Sequence, residues 1–173
     1  GINARNLLAE KLEGFGQYTL EITKRICQAH PEHEFILFFD RPFDPKFVFS
    51  ENIKPVVIFP PTRHPVLYVI WFEWRLKKAL KREKIDVFWS PDGFACLGSG
   101  IPQLITIHDI NFEHHPKDLP WLVSNYFRFF FPKFARKARK IISVSAYSKK
   151  DICSTYKINE DKVKVIYNAA NEQ

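Results

Sequence analysis

Apolar residues in this chain gather into short runs set between longer stretches of helical period. The runs occupy residues 34–40 (EFILFFD), 54–60 (KPVVIFP), 85–90 (IDVFWS), 103–108 (QLITIH), 140–145 (KIISVS) and 162–167 (KVKVIY). Most are rich in Val, Ile and Phe and do not alternate with polar positions, as expected of strands buried on both faces of a parallel sheet. The last run does alternate, which predicts a strand at the sheet edge. Residues 1–4 read as the end of a first strand.

Between the runs lie four helical stretches. Residues 17–29 place Tyr18, Ile22, Ile26 and Ala29 on one face. Residues 65–83 offer Val66, Val69, Ile70, Leu76 and Leu80 to the sheet, and their cationic last turns suit the negative end of the helix dipole. Residues 121–139 contain Pro132, which is expected to kink or restart the helix. Residues 145–156 open on Ser145, a good cap for free N–H groups. Strand–helix alternation with short connections predicts an α/β fold, an open sheet in one domain over residues 1–173. Residues 41–52 read as a surface loop and residues 94–102 as a small-residue loop leading into a strand.

Composition adds a bias rather than a class. Seventeen Phe, six Tyr and four Trp are more rings than such a domain usually carries, so some are expected at its surface. The net charge of +7 favours anionic partners: nucleic acid, lipid headgroups or phosphorylated small molecules. Cys27, Cys96 and Cys153 are odd in number and widely spaced, which predicts free thiols in a reducing compartment. No apolar run is long enough to span a bilayer, and no charged-then-apolar leader opens the chain. The absence of methionine, even at position 1, is expected of a start inside a longer reading frame or of a removed initiator.

The candidate chemistry sits where strands end, which is where open α/β sheets bind ligands. Glu13-Gly14-Phe15-Gly16-Gln17-Tyr18 precedes a helix whose first N–H groups attract an anion, although a plain turn uses the same residues. His108 and Asp109 follow the 103–108 run, with Glu113, His114 and His115 close behind. His108 can bond a sugar hydroxyl or a phosphate, and Asp109 can orient it. A metal site from His108, Asp109, His114 and His115 has poor spacing, because adjacent histidines do not readily face one ion. Ser90-Pro91-Asp92-Gly93 places Asp92 at another strand end, in a sequence that also suits a simple turn. Ser143 to Asp151 offers Ser145 as a helix cap or as a contact to an acceptor or partner domain. Residues 126–140, from Tyr126 to Lys140, mix five Phe with six cations. That face suits an anionic membrane surface, packing with a solvated charged side, or nucleic acid.

Taken in order, these pieces resemble the N-terminal domain of glycosyltransferase family 4. Gly1-Ile2-Asn3-Ala4-Arg5 followed by Gly14-Phe15-Gly16-Gln17-Tyr18-Thr19 is similar to the family's opening strand and glycine loop. Ser90-Pro91-Asp92, Thr106-Ile107-His108-Asp109 with Pro116, and Ile142-Ser143-Val144-Ser145 with Ser148 follow in the family's order. Val163-Lys164-Val165-Ile166-Tyr167-Asn168-Ala169 is similar to the segment that leads into a second domain. Ala146 departs from the pattern, since many relatives carry glutamate there.

The resemblance implies a Rossmann-like parallel sheet with helices on both faces, the N-terminal half of a GT-B fold. Residues 1–173 would then be the acceptor-side domain, ending at the interdomain hinge, with a separate C-terminal domain holding the donor. It implies retaining transfer of a hexose, with mannose as a guess, from a nucleotide-sugar to a glycan or lipid-linked acceptor. Gly14 and Gly16 would approach the donor phosphates, and His108 with Asp109 would stand at the transferred sugar. Arg5, Asp92 and Ser145 would face the acceptor. No metal and no nucleic acid are expected, and the implied location is cytoplasmic, with peripheral membrane contact through residues 126–140. Two alternatives remain: an epimerase of the same fold, and a non-catalytic basic module for anionic lipid or nucleic acid.

Overall fold

The computed structural model describes residues 1–8, 12 and 14–168. Glu13, Ala169 and the expected hinge lie outside the described residues. Seven strands form one sheet: β1 (Ile2–Asn3), β2 (Phe35–Phe39), β3 (Ile53–Val57), β4 (Phe88–Ser90), β5 (Gln103–Ile107), β6 (Lys140–Ser143) and β7 (Val163–Val165). Every pair is parallel, in the order β3-β2-β1-β4-β5-β6-β7. The alternating run does form an edge strand, β7. The chain builds outward from β1 on one side, then returns to build outward on the other. The crevice between the carboxyl ends of β1 and β4 is therefore the topological switch point.

Both sheet faces are covered, and the strands show it residue by residue. In β2, Leu37 and Phe39 join a core with Ile2, Cys27 and Trp89, while Ile36 and Phe38 join a second core with Trp71, Phe72 and Phe134. Side chains alternate across a strand, so one apolar run feeds two cores. A large apolar side chain fully removed from water contributes about 1.5–3 kcal/mol, which explains why such runs dominate the pattern.

The helices depart from expectation in instructive ways. Helix α1 (Gly14–Ala29) begins three residues early, so both glycines lie in its first turn rather than in a loop before it. Its fully buried seam is Gly16, Thr19, Thr23 and Cys27, while Ala29 is exposed. Small side chains on this seam allow close approach to the sheet, and Tyr18, Ile22 and Ile26 flank it half-buried. The next helical stretch is α2 (Pro65–Val69), a π-helical segment (Ile70–Leu76) and α3 (Lys77–Arg82). The π segment shifts the buried face to Trp71, Phe72, Leu76, Ala79 and Leu80 and leaves Val66 exposed. Trp71 Nε1 donates to the Ile58 carbonyl at 2.7 Å.

After the short α4 (Asn111–His114), α5 (Trp121–Lys137) runs unbroken through Pro132. The carbonyl that loses its N–H partner there belongs to Arg128, an exposed residue at which water can substitute. Helix α6 (Ala146–Tyr156) is capped by Ser145, whose Oγ accepts from Ser148 N at 3.0 Å. The 41–52 segment is more than a surface loop: Phe47 is fully buried and stacks with Phe39. All three cysteines are free and buried.

Candidate functional site

The switch-point crevice is organised around Asp92, just beyond β4. Asn3 from β1 and Ser90 from β4 share one sheet face, and both reach its Oδ1, Asn3 Nδ2 at 2.9 Å and Ser90 Oγ at 2.8 Å. Its Oδ2 accepts from Arg5 Nε at 2.8 Å and Asn6 Nδ2 at 3.0 Å. Four donors therefore surround one carboxylate. The turn that presents it needs Gly93, whose φ is +85° and whose missing Cβ would meet Phe131 at 2.8 Å.

Arg5 extends this network inward. Its guanidinium donates to Thr62 Oγ1 at 3.1 Å, and Thr62 donates through both N and Oγ1 to Asp40 Oδ2. Its charged carbon lies 4.1 Å from the centre of the Phe94 ring. Burial works most strongly on Arg5 and opposes its charge, but Asp92, Tyr68 and Asp40 together outweigh it and raise the pKa. Burial likewise opposes ionisation of Asp40, yet hydrogen bonds from Arg41 and Thr62 prevail and lower its pKa. The segment carrying Phe94 is fixed by Glu73, which accepts from Leu97 N and Gly98 N, and by Gln103, which bonds both backbone groups of Cys96.

His108, at the end of β5, faces the same crevice. Its Nε2 lies 2.9 Å from the Pro91 carbonyl. A carbonyl only accepts, so Nε2 carries the hydrogen and the neutral ring keeps its lone pair on Nδ1. The edges of Phe15 and Tyr18 close against the ring, with centroids 4.7 and 4.8 Å away. Burial lowers the His108 pKa despite the Pro91 carbonyl, Asp92 and Asp109, which raise it. The ring is thus held as a neutral hydrogen-bond acceptor.

A cavity of about 380 Å³ opens beside these groups. Its polar lining is Arg5, Asn6, Asp92, His108, Asp109, Asn111, His115 and Asp118, and its apolar lining includes Phe15, Tyr68, Phe94, Phe112, Leu119, Phe127 and Phe131. The expected residues Arg5, Asp92, His108 and Asp109 are therefore brought together. Among the described residues Asp109 makes no hydrogen bond to the histidine; its Oδ1 accepts from Asn111 N at the start of α4. Gly14, Gly16 and Ser145 do not line the cavity, although Phe15 does. A Cβ on Gly16 would lie 2.7 Å from the Asn6 carbonyl, so this glycine lets α1 press against the loop after β1. Gly14 has open space around it.

Among the described residues, His108, Asp109, His114 and His115 do not gather into a metal-sized cluster. His114 instead meets the Asp151 carboxylate at 2.9 Å. The 126–140 stretch is mainly a packing element: Tyr126, Phe131 and Phe134 are buried. Several of its cations are engaged by the protein: Lys133 over Phe129, Lys137 on the Ser99 carbonyl, Lys140 on the Asp161 carbonyl. Trp121, Leu122 and Phe129 remain exposed on α5. No helix among the described residues is long and apolar enough to cross a membrane.

Sequence reasoning passed over Asn3, Asn6, Thr62 and Asp40, and over the aromatic wall. Asp40 had a signal, being polar at the carboxyl end of an apolar strand. The Tyr68, Phe112 and Phe127 rings had none, because their spacing reads as ordinary core.

The sequence profile of Glycosyltransferase Family 4 matches residues 12–173. A curated relative, the O-antigen chain mannosyltransferase RfbU of Salmonella typhimurium, is 33% identical over 70 residues, 40% of this chain and 19% of that protein. A glycosyltransferase from Rickettsia africae superposes with a TM-score of 0.59 at 16% identity, over 93% of this chain and 41% of that one. HepE from Anabaena, solved with UDP and glucose, superposes with a TM-score of 0.59 at 14% identity, over 98% and 44%. The chain thus spans less than half the length of these structures, and what it shares with them is the Rossmann-like fold.

Proposed function

This chain belongs to glycosyltransferase family 4, and from that premise we propose that it is the acceptor-side domain of a retaining glycosyltransferase. In this reading the whole protein moves a hexose, mannose by analogy with the curated relative, from a nucleotide-sugar to a hydroxyl of a glycan or lipid-linked acceptor. The observation that carries it is His108, a neutral ring held by the Pro91 carbonyl with its Nδ1 lone pair available beside the cavity. Such an atom accepts from a hydroxyl, and the aromatic rings that also line the cavity suit the C–H face of a sugar ring. Arg5 and Asp92 line the acceptor crevice from the strand ends, and Ser145, which lies outside the cavity, would reach only an acceptor that extends beyond it.

The first N–H groups of α1, from Gly14 to Gly16, have no partner within the helix and favour negative charge. We assign them to the donor diphosphate, where charge develops as the bond to the sugar breaks. The UDP and glucose bound by HepE illustrate that class of donor. Closure of a second domain over the crevice excludes water and limits hydrolysis. No step in this scheme requires a metal. A lipid-linked acceptor would bring the protein to the cytoplasmic membrane face, with Trp121, Leu122 and Phe129 available for contact.

The test is transfer by the full-length protein, using a panel of nucleotide-hexoses and saccharide acceptors, with the product anomer read by proton NMR. Retained configuration with one preferred donor is the expected result. Inverted product overturns the retaining assignment, and an epimerised donor without transfer moves the protein to the epimerase class.

A further inference from the structure

The turn between α1 and β2 carries His30-Pro31-Glu32-His33, at the amino-terminal end of β2 and away from the crevice. There Glu32 Oε1 lies 3.0 Å from His30 Nδ1 and 3.6 Å from His33 Nε2. The two imidazoles stack, with centroids 5.8 Å apart and planes inclined by 27°. All three ligand atoms fall within 4.8 Å of one another.

We propose that His30, Glu32 and His33 bind a borderline divalent transition ion, Zn²⁺ foremost, and that the ion fastens the end of α1 to the start of β2. Zinc holds imidazole nitrogen and carboxylate oxygen at about 2.0–2.2 Å in tetrahedral array, which puts neighbouring ligand atoms about 3.3 Å apart. The two nitrogen–oxygen separations bracket that value. The nitrogen–nitrogen edge is no longer than 4.8 Å, and both histidine side chains are exposed and free to rotate towards an ion. Two imidazoles and one carboxylate favour zinc, nickel or copper over magnesium or calcium, which prefer all-oxygen sites. Solvent reaches all three side chains, so water completes the fourth position.

The backbone of this turn is already fixed, which separates the site from a chance surface cluster. Asn52, from the segment before β3, directs its Nδ2 to the carbonyls of Cys27, His30 and His33 at 3.0, 3.1 and 3.1 Å. His33 N also donates to the His30 carbonyl at 3.2 Å. Both histidines are therefore presented from a held frame, and little backbone ordering remains to oppose binding. The inference is independent of the proposed transferase activity.

The experiment is calorimetric titration of ZnCl₂ into chelator-treated full-length protein that carries no polyhistidine tag, alongside thermal unfolding with and without zinc. One equivalent should bind with micromolar affinity and raise Tm. His30→Ala and His33→Ala should each weaken binding roughly 10–100-fold and abolish the Tm rise. Cobalt substituted at the site should show the strong visible absorption of tetrahedral coordination in the wild type, lost in both variants. Absence of binding at millimolar zinc, or binding that neither variant weakens, overturns the proposal.

Discussion

Asp92 and His108 stand at the ends of neighbouring strands, β4 and β5, and line one cavity, yet they use their hydrogen-bonding capacity in opposite ways. Asp92 accepts from Asn3, Asn6, Ser90 and Arg5, all supplied by the protein. Among the described residues His108 makes one hydrogen bond, through Nε2 to a backbone carbonyl, and its Nδ1 has no partner. Both are polar groups where a strand meets the crevice, and a motif cannot tell them apart. Their unused capacity does: Asp92 builds the crevice, and His108 is equipped to read what enters it.

Removing Asp92 is expected to give the largest effect. Asp92→Ala leaves the Arg5 guanidinium, only 8% exposed, without its carboxylate. Breaking one partner from a buried ion pair costs about 3–5 kcal/mol, a loss that denaturant unfolding would report. His108→Ala should behave in the reverse manner. Its stability should fall by no more than about 1 kcal/mol, since its contacts are two ring edges and one hydrogen bond. A substrate hydroxyl left unpaired costs about 1–3 kcal/mol, so kcat/KM for transfer should fall roughly 10–100-fold. If His108→Ala destabilises as much as Asp92→Ala while transfer survives, the division of labour is wrong.

A titration of His108 sharpens the contrast. Burial lowers the His108 pKa beneath the ordinary 6.5. Between the lowered value and 6.5, the unfolded chain binds more protons than the folded one, so stability rises with pH across that window. The contribution is complete above pH 6.5 and is lost as pH falls through the folded value. Protonation also turns Nδ1 from acceptor to donor, so transfer should fall on the same acid limb. His108→Gln should flatten both limbs, in unfolding and in rate.

How much of this was legible follows from what each residue type reveals alone. Buried parallel strands declare themselves by unbroken Val, Ile and Phe, and all six runs became strands within a few residues of their expected ends. Polar residues just beyond them, His108 and Asp92, were legible for the same reason. The helices were harder because an assumed period of 3.6 fails where the backbone departs from it. The π segment moved burial onto Trp71 and Phe72, and the seam of α1 is Thr and Cys rather than Tyr and Ile. Pro132 reads as a break, but the carbonyl it frees belongs to an exposed residue, Arg128. The Asn3, Asn6 and Thr62 partners were not legible, because their importance comes only from a register that brings β1 beside β4.

The smallest effect, and the finest division, concerns Asp109. Its Oδ1 accepts from Asn111 N, and an amide oxygen can do the same. Asp109→Asn should therefore hold stability within about 0.5 kcal/mol. What it removes is a negative charge that raises the His108 pKa. The acid limb of transfer should then move to lower pH, while the rate at neutral pH stays near wild type. A loss of rate at every pH, with the limb unmoved, would instead put the Asp109 carboxylate itself at the reacting sugar.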